Sequence, residues 1–131
     1  MRLSSTAWRR LWRGVGWFGV ALLIYLWLTP NPPEIPVEQG DKIGHVMAFA
    51  VLMLWWAQLY FGRARLLIAA ALLALGVGLE FVQGWTGYRN FEYADMLADL
   101  VGITIGCWLG PPRLPNWFLL SQRWFVRAET K

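Results

Sequence analysis

The sequence predicts an all-α polytopic membrane protein, a compact four-transmembrane-helix bundle with both termini cytoplasmic and a short amphipathic C-terminal helix. Three observations predict it. Of 131 residues, 57% are apolar and only 15% charged, far less charge than a water-exposed surface of this size requires. The apolar residues fall into four long runs, each approaching the ~20 residues needed to cross a bilayer. The basic residues sit between those runs or at their ends. At this length the chain is one domain, residues 1–131, with a motif-bearing core at 41–110 and a cytoplasmic tail at 111–131.

The first run extends from about Leu11 to Leu28 and stops at Thr29-Pro30, ahead of the proline-rich "PNPPEIPVEQG". Its basic start resembles a signal peptide, but it ends without a small-x-small cleavage pattern, so a retained helix is expected. The second covers about Lys42 to Phe61, the third about Arg65 to Val82, and the fourth about Tyr93 to Leu109, before Pro111-Pro112. In "NWFLLSQRWFVR", residues 116–127, Trp117, Leu120 and Trp124 fall on one helical face, as in a helix lying on a membrane surface.

Charge sets the orientation. Arg2, Arg9, Arg10, Arg13, Arg63, Arg65, Arg113, Arg123, Arg127 and Lys131 are ten of the twelve basic residues, and all fall on one side, the cytoplasmic one; Lys42 and Arg89 fall on the other. The tryptophans cluster near run ends, with Trp27 and Trp85 at the outer ends, where indoles anchor at headgroup level. This distribution of basic residues argues against nucleic-acid binding. Cys107, the single cysteine, lies in an apolar run and reads as a packing residue. No cofactor or resident metal is expected.

The acids gather opposite the basic residues. Glu34, Glu38, Asp41, Glu80, Glu92 and Asp95 map to outer loops or outer helix ends, Asp99 lies one turn deeper, and only Glu129 is cytoplasmic. Asp41 and His45 are four apart, sharing a helical face, with the imidazole ~6 Å deeper. Glu80 and Gln83 are three apart. Asp95, Asp99, Gly102 and Gly106 form one stripe whose small residues let a neighbouring backbone approach, within the chain or from a second copy. His45 and Asp99 come to similar depth. Ionisable groups in apolar runs are costly unless they meet a partner, so three helices are expected to bring these side chains together on the extracytoplasmic side.

The stretches "DKIGHVMAFAVL" and "LEFVQGWTGYRNFEYADMLADLVGITIGCWLG" resemble the VanZ-like membrane proteins. Asp41, Lys42, His45 and Phe49 match that family's first block, and Glu80, Gln83, Arg89, Asp95, Gly102 and Gly106 its second. The chain departs at Asp99, where the family pattern has asparagine; the extra carboxylate adds a charge or a proton to the site. The resemblance implies a bacterial cytoplasmic-membrane protein of the cell envelope, in a family linked to teicoplanin resistance.

Two functions follow. In the first, Lys42 and Arg89 supply donors to an anionic or lipid-linked envelope ligand, Asp41, Gln83 and Asp95 complete its binding site, and His45 with Asp99 or Glu80 serves as acid or base. With no nucleophile beside these groups, covalent catalysis is not expected. In the second, Arg89 pairs with Glu80 or Asp95, and Lys42 with Asp41 or Asp99, only to pin the helices of a scaffold together. A metal alternative draws on His45 with Glu80, Asp95 or Asp99, an oxygen-rich set closer to Mg²⁺ or Mn²⁺ than to structural zinc.

Overall fold

The computed structural model describes residues 2–128; Glu129 and Lys131, both assigned above to the cytoplasmic side, lie outside them. The described residues form five helices, α1 (Ser5–Leu28), α2 (Gly40–Ala57), α3 (Gly62–Thr86), α4 (Tyr93–Leu109) and α5 (Trp117–Phe125), and no named strand. A single bridge joins Leu3 to Val126, tying the two ends of the chain.

Local chemistry sets the boundaries. Ser4 caps α1 by accepting the Ala7 N–H at 3.1 Å. The helix thus starts well before Leu11, and the exposed arginines Arg9, Arg10 and Arg13, good helix formers, continue it. α3 outruns its expected bounds at both ends; at the C-terminal end Glu80 and Gln83 turn inward rather than terminate it, and both are buried. Gly87 then stops α3 in the left-handed region at φ 79°, where glycine carries no Cβ penalty. α4 covers the residues expected, and Asn116 caps α5 by accepting the Leu119 N–H.

Two helices, α1 and α3, are long and apolar enough to cross a membrane by length and composition. α2 and α4, at 18 and 17 residues, fall short of that measure.

The central pairing is α2 with α4, the most extensive contact in the molecule. The two run parallel, and the glycine stripe is the reason they pack so closely. A methyl group on Gly102 would strike the Val46 carbonyl, and one on Gly106 the Ala50 carbonyl. Of the two uses the sequence left open for this stripe, the structure shows the one within the chain. α1 and α3 run opposite to this pair: Gly16 of α1 lies against Trp56, and Gly76 of α3 against Asp99 and Phe49.

The apolar core, built around Phe49, Leu52, Met53 and Ile103, also encloses charged side chains. His45, Gln58, Glu80, Gln83, Asp95 and Asp99 are buried, whereas Phe18, Val51, Leu67, Trp85, Leu97 and many other large apolar residues are exposed. The end of the bundle that carries both chain termini is closed by a network the sequence did not reveal. Arg65, expected as a topology signal, donates to three carbonyls, those of Tyr60, Ala57 and Pro111, at 2.8–3.0 Å. Gln58 accepts the Trp117 N–H at 2.7 Å, and its own carbonyl accepts from Asn116. α5 docks through buried Phe118 onto Trp12, leaving Trp117, Leu120 and Trp124 facing outward.

Candidate functional site

Parallel packing of α2 and α4 sets His45 beside Asp99. The two are 3% and 0% exposed, and His45 Nδ1 lies 2.6 Å from Asp99 Oδ1, a short buried hydrogen bond. Among the described residues Asp99 Oδ2 has no hydrogen-bond partner, and it packs against Gly76, where a Cβ would come within 2.5 Å of it. The glycine on α3 therefore makes room for the carboxylate on α4.

One turn outward, Asp95 divides its oxygens. Oδ1 accepts from Lys42 Nζ at 3.2 Å, while Oδ2 faces His45 Nε2 at 3.9 Å, beyond hydrogen-bonding range. Lys42 also contacts Glu92 at 2.5 Å and Asp41 at 3.1 Å. Asp41 lies on the same face as His45 but further out, exposed on the rim with Lys42, as the four-residue spacing implies. Glu80 reaches in from α3 at 1% exposure; its Oε1 accepts the Glu92 N–H at 2.7 Å and its Oε2 has no partner. Ligand-type atoms of His45, Glu80 and Asp95 lie within 4.8 Å of one another.

The outer end of α1 completes the site. Trp27, expected at the interface, is buried with its ring centroid 4.7 Å from His45, because the α1 terminus tucks over α2. Its carbonyl, freed at the helix end, accepts from Gln83 Nε2 at 2.5 Å and Arg89 Nη1 at 3.1 Å. Arg89 thus serves α1; among the described residues it forms neither of the pairs expected with Glu80 and Asp95, and Lys42 does not reach Asp99. The Trp27 indole N–H is buried without a partner.

His45, Glu80, Asp95 and Asp99 therefore meet in one buried cluster, with Lys42 on its rim. Gln83 and Arg89 stand beside it on the α1 end. The residue missed by sequence reading is Trp27, whose aromatic character at a run end is equally that of a membrane anchor.

A groove of about 840 Å³ opens between α1 and α2. Asp41, His45 and Arg89 line its outer end, and Phe18, Leu22, Val51 and Leu52 its apolar remainder. His45 belongs to both groove wall and buried cluster.

No family model matches the chain. It is similar to an uncharacterized protein of the fission yeast Schizosaccharomyces pombe, 34% identical over 90 residues. That alignment covers 66% of this chain and 56% of the yeast protein, little more than half of the relative's length. No solved structure matches.

Proposed function

We propose that this chain is a bilayer-embedded, VanZ-like protein whose groove between α1 and α2 binds an amphipathic anionic molecule, a lipid or lipid-linked envelope component. The groove carries the proposal. Its polar end holds Arg89 and His45, and its length is apolar, the division a ligand with an anionic head and hydrocarbon tail requires. Arg89 keeps donor capacity for a phosphate or carboxylate, since its assigned bond uses only Nη1.

Bilayer placement is supported by the exposed apolar shell around buried carboxylates. α2 and α4 join α1 and α3 as spans on this reading: at about 1.5 Å per residue, 18 and 17 residues rise about 27 and 26 Å, close to the ~30 Å hydrocarbon core. Both termini lie on the cytoplasmic side and the His45 cluster near the opposite face, in the orientation the arginines favour. In the bacterial setting that the VanZ-like resemblance brings, this is the inner membrane. The fission-yeast relative favours a head group common to both kinds of cell, a phosphate. If the ligand is modified, His45 with Asp99 and Glu80 provides the proton transfer.

Native mass spectrometry of the purified protein with phosphatidylglycerol and phosphatidylcholine tests the proposal. Retention of the anionic lipid is expected, with at least a tenfold loss in Arg89→Ala. Equal retention of both lipids by wild type would overturn it.

A scaffold reading is favoured by one observation, the linkage of α2 to Glu92 and α4 by Lys42. It predicts that Lys42→Met lowers membrane abundance while lipid retention per molecule is unchanged.

A further inference from the structure

We propose that His45, Glu80 and Asp95 bind a divalent cation of the Mn²⁺ type, with Asp99 as the group that orients the histidine. The site shares His45 with the groove wall, but cation binding there requires no ligand in the groove.

Each donor has one atom committed to the protein and one left over. His45 Nδ1 is held by Asp99 Oδ1 at 2.6 Å, which leaves Nε2 as the coordinating atom. A carboxylate behind a metal-bound imidazole is the usual arrangement for fixing its tautomer and ring plane. Asp95 Oδ1 is held by Lys42, leaving Oδ2 turned toward His45 Nε2. Glu80 Oε1 is held by the Glu92 N–H, leaving Oε2 buried and unpartnered. A 1%-exposed carboxylate oxygen with no donor is costly, and a cation supplies the missing partner.

The spacing agrees. The 3.9 Å between His45 Nε2 and Asp95 Oδ2 is too long for a hydrogen bond. Adjacent ligands at a metal–ligand distance of about 2.1 Å lie about 3.0–3.4 Å apart, so a cation between them draws the two donors together by less than about 1 Å. One ligand-type atom from each of the three residues lies within 4.8 Å of the others, close enough for a single ion to gather the set. One imidazole nitrogen among carboxylate oxygens suits Mn²⁺ better than a thiolate-seeking ion. The second acidic group, Asp41, Glu92 and Asp95, already surrounds the Lys42 ammonium, which makes the inner group the one that lacks a cation.

The test is Mn²⁺ titration of chelator-stripped, detergent-solubilised full-length protein, followed by electron paramagnetic resonance. The expected result is one Mn²⁺ per chain, with spin-echo modulation from a directly bound imidazole nitrogen; the chain has a single histidine. Glu80→Gln should abolish binding, and Asp99→Asn should weaken it about 10–100-fold, each with unchanged elution and thermal unfolding in the absence of metal. If Glu80→Gln fails to fold, the nitrogen signal in wild type decides alone. Mn²⁺ that stays free at millimolar concentration, or binds without the nitrogen coupling, overturns the proposal.

Discussion

His45→Phe isolates the polar contact at the centre of the bundle. The substitution keeps a ring against Trp27, whose centroid lies 4.7 Å from the imidazole, but removes Nδ1. Asp99 is 0% exposed, its Oδ2 has no partner among the described residues, and Oδ1 would lose its 2.6 Å contact. Removing one partner of a buried ionisable pair costs about 3–5 kcal/mol, mostly for stranding the other. Deleting both partners leaves no stranded group, so His45→Phe/Asp99→Ala should be more stable than the sum of the single changes, by a coupling of about 1–3 kcal/mol. Equilibrium unfolding in mixed dodecyl maltoside and SDS micelles, followed by circular dichroism, measures both quantities. A His45→Phe protein within 0.5 kcal/mol of wild type, or a double variant showing simple additivity, would refute the reasoning.

Gly106→Ala should cost about 1–3 kcal/mol by the same assay, because its Cβ meets the Ala50 carbonyl and the Leu54 backbone nitrogen. Gly78→Ala, whose Cβ meets nothing within 4 Å, should be neutral or stabilising by up to about 1 kcal/mol. Arg65→Ala removes three hydrogen bonds to carbonyls at the end that carries both chain termini and should lose about 3 kcal/mol. Arg65→Lys should recover little, because an ammonium lacks the guanidinium fork; limited proteolysis between residues 58 and 62 reports the opening. Lys42→Met should lose about 1 kcal/mol at low ionic strength and less at high salt, because its ion pairs are part-exposed; unfolding at two salt concentrations checks this.

The helical character and the cluster were legible because both depend on periodicity. Four apolar runs correspond to α1–α4, and the spacing of Asp95, Asp99, Gly102 and Gly106 places all four on the buried face of α4. The depth argument that paired His45 with Asp99 rests on the same 1.5 Å rise. What stayed hidden involves main-chain acceptors. Arg65, Arg89, Gln58 and Gln83 bond to carbonyls or amides at helix ends and loops, and no side-chain pattern advertises those groups. Arg65 looked like a charge that sets topology, and Arg89 like a partner for an acid, because both roles use the same residue type. Trp27 was ambiguous for a related reason: an indole at the end of an apolar run is equally suited to headgroups and to covering a histidine. The helix count was easier to read than the helix ends, since Ser4 extends α1 and the inward-facing Glu80 and Gln83 let α3 continue.

The most direct test of the buried cluster is rotational-echo double-resonance NMR on protein in lipid bilayers, labelled with ¹⁵N-histidine and ¹³Cγ-aspartate. Because His45 is the single histidine, every coupling observed belongs to it. Strong dephasing of ring Nδ1 by an aspartate carboxyl, lost in Asp99→Asn, is the predicted result, corresponding to the 2.6 Å nitrogen–oxygen contact, while the weaker dephasing of Nε2 by Asp95, 3.9 Å away, persists. A histidine with no aspartate carboxyl in range, or one whose Nδ1 dephasing survives Asp99→Asn unchanged, would contradict a common interior meeting point for α2 and α4.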